Sequence, residues 1–421
     1  MSHQQPHLVI LPTIKAMIDP AQPDSVILTG KFLTGMQSYA QQWPGRVTLL
    51  IEAMQGKDSN MDHQQVKIAD LPYTLKIVNF EDKHLNDELA IADVVLASVH
   101  WRQNHISQLC QQVNVPCVYV SEYAFQTRIQ MEKTRTKNLL VFLRRYQWHW
   151  MHERRHRRAL ALADGLQANG TPTYNDYLGL AKDSLLYFDS RVTSSQMATQ
   201  EQLDQRYSDL FTDRPLRLAF SGRLMPIKGA DHLPLIAKAL KQMGVAFTMD
   251  ICGGGELEAS MQKKIQELGL TDSVRMCGVL DFNNQLIPKL KRDVDLFVCP
   301  HRQGDPSCTY LETMSCGVPI VGYDNAAFTG LCEQSAAGWV TPMNSITKLA
   351  RQIAILNQKR EEIVTHAAQS LEFARHHSFE DTFSRRVDHL IQLSRPTDEV
   401  AQSTPNTVKR SLVNPQKETA Q

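Results

Sequence analysis

Residues Gly304 to Val321 read GDPSCTYLETMSCGVPIV, and the architecture of the chain follows from this stretch. It comes after an apolar run, DLFVCP at 295–300, and passes through a Gly/Asp/Pro/Ser turn into a short helix with Thr309 and Glu312 in its first turn. A second strand, GVPIVGY, comes next. Strand, turn, helix, strand makes a βαβ unit. Its helix start leaves unpaired N–H groups and a partial positive charge facing the turn, which suits an anionic ligand such as a diphosphate. The same pattern also serves as a plain connection between strands.

Two other stretches repeat the plan. LRLAFSGRLMPIKGADHLPLIAKAL at 216–240 places a β-run before a Gly222-Arg223 turn and Lys228-Gly229 before an amphipathic helix. FTMDICGGGELEASMQKKIQELGL at 247–270 has Gly253, Gly254 and Gly255 at the strand exit. Fixed cations and glycine turns at the carboxyl ends of strands are what an open α/β sheet uses to hold a phosphorylated ligand. In this order and spacing, GRLMPIKG, ICGGGELE, SVRMCGVL and TYLETMSCGVPIVG resemble the donor-binding half of the retaining glycosyltransferase family 4, of GT-B fold.

That resemblance implies an α/β protein of two Rossmann-like doubly wound domains facing across a cleft. It also implies a nucleotide diphosphate sugar as substrate, with no further cofactor and no obligatory metal. Arg223 and Lys228 would meet the departing diphosphate, whose negative charge is the main thing to stabilise. Glu312 matches the second glutamate of the family's E-x7-E motif, whose carboxylate accepts from the ribose hydroxyls. The first glutamate falls on Gly304, which has no side chain. Asp305 either takes over the contact to the sugar or caps the turn. The N–H groups of Ser307, Cys308 and Thr309 are candidate phosphate donors. Gly222, Gly253 and Gly254 let backbone approach the nucleotide. The segment from Arg275 to Leu280 matches the one that meets the base. The family's cleft-wall histidine is replaced by Glu122, in SEYAF.

The 421 residues exceed one typical core, so two domains are expected. Hydrophobic residues at 42%, charged residues at 21% and a net charge of +1 describe a soluble globular protein and argue against bulk capture by nucleic acid. Eight cysteines occur without a CxxC or a Cys/His metal spacing, several in apolar strand patterns (Cys117, Cys252, Cys277, Cys299), and read as reduced thiols. No apolar run approaches the ~20 residues that span a bilayer, so the expected location is cytoplasmic.

In chain order, HLVIL (7–11) reads as a strand. Asp24 then caps a helix through Gln42, or SVILTG is itself a strand. VTLLIEA, TLKIVN, DVVLAS and VPCVYV alternate with helices, which implies a parallel sheet. Arg128 to Arg158 carries ten Lys or Arg against two Glu, a net of +8, interleaved with Phe142, Tyr146, Trp148 and Trp150. It reads either as a domain helix with a solvated basic face or as a segment lying on an anionic membrane. The expected division is a first, acceptor-side domain at 1–192, a linker at 193–215 and a donor-binding domain at 216–377. A helix at 378–395 crosses back, and a disordered tail at 396–421 closes the chain.

The function expected from this reading is retaining transfer of a hexose-type sugar to a glycan or lipid-linked acceptor in polysaccharide or glycoconjugate synthesis. A sugar-nucleotide epimerase on the same fold would want further acid/base carboxylates, of which the first half shows only Glu122. A nucleotide-binding scaffold without catalysis would account for Gly304.

Overall fold

In the second half, short buried strands separated by glycine turns recur six times and join into one all-parallel sheet. The computed structural model describes residues 5–19, 21–54, 63–136 and 138–394; residues 396–421, expected to be disordered, lie outside these. The spatial order is Val274–Gly278, Phe247–Cys252, Leu216–Ser221, Leu296–Cys299, Ile320–Tyr323, Trp339–Thr341. The order therefore reverses between Leu216–Ser221 and Leu296–Cys299, where Leu218 pairs with Leu296 and Ala219 with Phe297. Connections leave on opposite faces at such a point, and the carboxyl ends of the two strands border a crevice.

The first half builds the same topology. Its parallel strands lie in the order Thr74–Ile77, Arg46–Met54, His7–Ile10, Val94–Ser98, Cys117–Ser121, Gly165–Asn169, Asp183–Tyr187. A second reversal falls between His7–Ile10 and Val94–Ser98. Beyond Arg46–Met54 the sheet is extended by Lys15–Met17, Ser25–Thr29 and His63–Lys67, the last two pairs antiparallel. SVILT is thus a strand, not the start of a helix capped by Asp24. The helix is Gly30–Gln42, and Thr29 caps it, its hydroxyl accepting from Phe32 N–H at 3.4 Å. The β-branched Val26 and Ile27 favour the extended form, and the hydroxyl of Thr29 gives the helix its start.

The segment at 193–215, read as a linker, is part of the second domain. It holds helix Gln200–Tyr207, whose Leu203 and Tyr207, with Leu210 beyond, are buried in the second core. Buried Arg206 lies on the same helix and donates to the carbonyls of Leu290 (3.1 Å), Lys291 (3.0 Å) and Cys316 (2.9 Å). A polar helix is pinned here by a cation that closes carbonyls at helix and turn ends.

Helix Phe379–Leu393 packs on the first domain. Phe383, Val387 and Leu390 pack in the first domain's core with Tyr39, Val94 and Val118. Arg386, beneath the rings of Tyr39, Tyr187 and Phe383, donates to Gln167 at 2.9 Å. The basic region is two helices, Phe125–Arg135 and Leu139–Ala161. No helix among the described residues is long and apolar enough to cross a membrane.

Arg206→Ala is expected to destabilise the second domain by about 3 kcal/mol, because several charge-assisted hydrogen bonds to buried carbonyls go together. Urea unfolding followed by tryptophan fluorescence measures this. A change under about 0.5 kcal/mol would return 193–215 to the role of a linker.

Candidate active site

The second domain contributes three loops at the carboxyl ends of its central strands. Gly222 follows Leu216–Ser221 and Gly253 follows Phe247–Cys252, with φ of 151° and 140°. A Cβ on Gly253 would fall 2.0 Å from the carbonyl oxygen of Gly222, so the two loops approach to a distance only glycine allows. Leu224 N–H donates to Gly254 O at 2.9 Å and fastens them together. Arg223 projects from this junction. It is exposed, and among the described residues its guanidinium has no partner. Lys228 ends the single turn Pro226–Lys228 and is buried, its ammonium 2.9 Å from the Asp305 carboxylate.

Asp305 belongs to the turn after Leu296–Cys299, and the first domain grips that turn. Gly304 accepts from the Thr127 hydroxyl at 2.9 Å and donates to Gln130 at 3.1 Å, both on helix Phe125–Arg135. A Cβ on Gly304 would stand 3.1 Å from Cβ of Ala326, so the position expected to bear a glutamate faces a helix start with little room. The structure places the turn's carboxylate one residue later, on Lys228, and leaves the Oδ1 atom of Asp305 buried without a partner among the described residues.

Ser307 N–H closes back on Asp305 O at 2.8 Å, so it is a turn hydrogen bond and is unavailable to a phosphate. Cys308 and Thr309 open helix Cys308–Met314. Glu312, on the same helix, is buried and accepts from Arg191 Nε at 2.8 Å. The guanidinium of Arg191 lies 4.1 Å from the centre of the Phe282 ring. Arg275 stands apart from this group. It forms a two-point ion pair with Asp250 across neighbouring strands, at 2.9 Å for each bond, and only the Gly278–Val279 end of its strand comes near Gly254.

The facing wall comes from the first domain. Glu122, just past Cys117–Ser121, accepts from Asn169 at 3.4 Å, and burial followed by repulsion from Asp189 raises its pKa. Tyr123 stands within reach of both sides, its hydroxyl pushed up to about 12 by burial and then by Glu122, with Asp305 and Arg223 also acting on it. Lys31, at the start of helix Gly30–Gln42, bonds to Asp189 and reaches Cys308 Sγ at 3.0 Å. Burial, and after it Asp189, push the Cys308 thiol up to about 12. His301 is buried beside Lys228. Desolvation and that cation hold its pKa well below the usual value, so it is neutral.

Lys228, Asp305, Cys308, Glu312, Glu122 and the glycine turns are thus drawn to one cleft. Lys31, Asp189, Arg191 and Tyr123 were missed by sequence reasoning. A signal existed for Lys31 only, as a cation directly after the Thr29-Gly30 end of SVILTG.

Residues 202–370 match the family described as "Glycosyl transferases group 1". The amylovoran biosynthesis glycosyltransferase AmsK of Erwinia amylovora is 28% identical over 158 residues, which cover 36% of this chain and 38% of AmsK. The 2-deoxystreptamine glucosyltransferase of Streptomyces kanamyceticus is 29% identical over 161 residues, 37% of this chain and 40% of that enzyme. The chain thus spans less than half the length of the curated relatives it matches. Among solved structures, Anabaena Alr3699/HepE in complex with UDP superposes with a TM-score of 0.64, at 13% identity, over 92% of this chain and 99% of the other. At that identity the likeness is one of fold.

The ion pair across the cleft predicts a pH dependence. Burial alone would raise the pKa of Asp189, but Lys31 outweighs it and the pKa ends below the usual 3.8. A carboxylate depressed in the folded state adds stability above its unfolded pKa and loses it as pH falls through the folded value. Thermal stability should therefore decline below about pH 4. In Asp189→Asn this part of the decline should be absent, and stability at pH 7 lower. Superimposable profiles for the two proteins would show that the pair does not stabilise the fold.

Proposed function

We propose that this chain, which belongs over residues 202–370 to the group 1 glycosyltransferases and has the GT-B fold, is a retaining transferase. It moves a hexose-type sugar from a nucleotide diphosphate sugar to a glycan or lipid-linked acceptor in polysaccharide or glycoconjugate synthesis. The observation that carries this reading is the buried Lys228–Asp305 pair at the strand-order reversal, with the exposed Arg223 on the same loop as Lys228 and Tyr123 and Glu122 facing them.

Transfer breaks the bond between the anomeric carbon and the diphosphate oxygen and leaves charge on the phosphate. Lys228 is shielded from water, so its ammonium acts at short range with little screening, and Arg223 adds a guanidinium that fits phosphate oxygens. Their charge takes the place of a metal. Glu312, oriented by Arg191, accepts from the ribose hydroxyls. Asp305 gives up Lys228 to the diphosphate and turns to the sugar hydroxyls. Retention places the incoming acceptor on the face the phosphate leaves, so the phosphate itself takes the acceptor proton. Glu122 accepts a hydrogen bond from the acceptor and positions it.

The outer face of helix Leu139–Ala161 supports placing the enzyme on an anionic membrane surface. Leu140 and Leu143 are 78% and 52% exposed, with arginines following along the helix. Nucleic acid is not among the partners of this reading.

Lys228→Ala should lower turnover by ~100-fold or more, the scale of removing one preorganised donor, and EDTA should leave wild-type turnover unchanged. Asp305→Ala should lower turnover and blur sugar choice while the affinity for free nucleotide is kept or increased, because Lys228 is released. Glu312→Ala should weaken nucleotide binding. Calorimetry and turnover with UDP-, GDP- and ADP-sugars test these outcomes, and normal turnover in both Lys228→Ala and Arg223→Ala would defeat the transferase reading. Flotation with phosphatidylglycerol liposomes at two salt concentrations tests the membrane surface. Recovery in the soluble fraction at both would reduce the helix to a solvated basic face.

A further inference from the structure

We propose that Cys252 and Cys277 form a peroxide-reactive thiol pair whose oxidation to a disulfide weakens nucleotide binding, the second part resting on the transferase reading. The two residues sit on neighbouring strands, Phe247–Cys252 and Val274–Gly278. Side chains alternate along a strand, so Phe247, Met249 and Ile251 point into the second core while Asp250 and Cys252 point to the other face. Arg275, paired with Asp250, marks that same face on the neighbouring strand, and Cys277 follows it by two residues. A register shift after Ile251 sets Gly278 opposite Cys252, so Cys277 lies between that partner and Met276, the partner of Ile251. The two thiols are hydrogen-bonded to each other. Neighbouring strands run about 4.8 Å apart, within the Cα separation of about 4.4–6.8 Å that a disulfide bridges.

The two sulfurs are not equivalent. Cys252 is buried, whereas Cys277 is half-buried on the edge strand of its sheet. The hydrogen bond from Cys252 lowers the Cys277 thiol to about 7, and Arg275 and Lys289 act in the same direction, against burial and Asp250. The same hydrogen bond, and burial after it, raise Cys252. Cys277 is therefore the nucleophile at neutral pH, and Cys252 the partner that keeps its proton. The Cys277 thiolate attacks one oxygen of the peroxide, the O–O bond breaks, and the departing oxygen keeps the electron pair and takes up a proton as water or alcohol. The Cys252 sulfur then attacks the sulfenic sulfur of Cys277. The S–S bond forms, the S–O bond breaks, and hydroxide leaves with the Cys252 proton as water, so two electrons have passed from the sulfurs to the peroxide. Cys110 and Cys117 are also hydrogen-bonded, but both are buried in the first domain's core, and burial holds the Cys117 thiol well above its usual value.

The residues after the two thiols belong to the loops of the cleft. Gly253 N–H donates to Gly278 O at 2.7 Å, and Gly222 N–H donates to Cys252 O at 3.0 Å. Gly253 already meets Gly222 at a distance only glycine allows, and Arg223 is the next residue. A covalent bond in place of a hydrogen bond draws the strand ends together, and backbone packed this closely has no slack to absorb the movement. An edge strand is held from one side only, so Gly278 and Val279, the latter beside Gly254, shift with Cys277. The displacement reaches the loop that presents Arg223.

Hydrogen peroxide treatment of the full chain, followed by peptide mapping without reduction and by calorimetry with UDP, tests the proposal. The expected product is a peptide that joins Cys252 to Cys277 and is lighter by two hydrogens than its parts. UDP affinity should fall by at least about tenfold, the scale of losing one charge-assisted hydrogen bond, and return with dithiothreitol. Cys277→Ser should form no cross-link and show one UDP affinity before and after peroxide. In Cys252→Ser the reaction should stop at the sulfenic acid of Cys277, where dimedone traps it, which identifies the nucleophile even should Cys277→Ser fold poorly. Oxidation of Cys308 or Cys332 with Cys277 spared, oxidation of Cys277 without a bond to Cys252, a cross-link between Cys110 and Cys117 at an equal rate, or a Cys252–Cys277 cross-link that leaves UDP affinity unchanged would each overturn the proposal. The cross-link is read without nucleotide, so failure of the reduced wild type to bind UDP would strike the nucleotide reading alone.

Discussion

One ion pair stands at the centre of the second domain's cleft. Lys228 and Asp305 lie 2.9 Å apart with side chains 9% and 13% exposed, one from the loop after each of the two strands between which the strand order reverses. A charge so shielded is costly without its partner, since desolvation is only offset by a close counter-ion. Whatever enters the cleft to engage Lys228 has to supply both replacements, an anion for the lysine and donors for the carboxylate. A sugar diphosphate carries both in one molecule, phosphate oxygens and hydroxyls a few bonds apart. Inorganic phosphate carries only the first. Under the proposed function the pair would act as a filter for the joined ligand, and the buried Oδ1 of Asp305, without a partner among the described residues, would be a further acceptor for the hydroxyls.

That filter depends on the first domain. The backbone of Gly304 is held by Thr127 and Gln130, and Lys31 bridges Asp189 to Cys308 across the gap. Helices from the two domains also touch at Gly330, where a Cβ would fall 2.0 Å from the Thr171 hydroxyl oxygen. These contacts place the cleft in a closed arrangement. Closure excludes water and strengthens every charge interaction inside it. Because Gly304 hydrogen-bonds through its backbone, a glutamate there would have to displace Ala326 and risk both bonds. Its absence and the shift of the carboxylate to Asp305 are two sides of one local packing solution.

The legible part of the site was the part written in short spacings. Arg223, Lys228 and Asp305 sit in turns after strands and Glu312 on the helix that follows one, so short strand–turn–helix patterns, with the family resemblance, marked them as candidates. Lys31 meets Asp189 158 positions away and Arg191 meets Glu312 121 positions away, and no local pattern announces either pairing. Ser307 was read as a phosphate donor because the turn looked open. The carbonyl of Asp305, two residues back, takes that N–H instead. Arg206 was not legible either. A charged residue on a polar helix reads as solvent-facing, and only the convergence of carbonyls from 290, 291 and 316 makes a buried guanidinium stable.

Composition alone left the basic region undecided, because an arginine-rich helix looks the same whether its charge is neutralised inside or offered outside. The structure separates the two helices: Arg128, on Phe125–Arg135, is largely buried against Glu153, whereas Arg145, on Leu139–Ala161, reaches Glu132 while about half-exposed. Leu139, Leu140, Leu143 and Trp150 point outward and gain nothing from water. Solubility alone would put the apolar side inward and the charge outward. Over its first three turns this helix exposes leucines and arginines together, Arg144 and Arg145 beside Leu140 and Leu143, and its buried apolar residues, Ala159 and Leu160, come only at its end. Exposed leucines among exposed arginines suit a helix that lies on an anionic surface, which is why the proposed membrane reading rests on this stretch and not on the basic region as a whole.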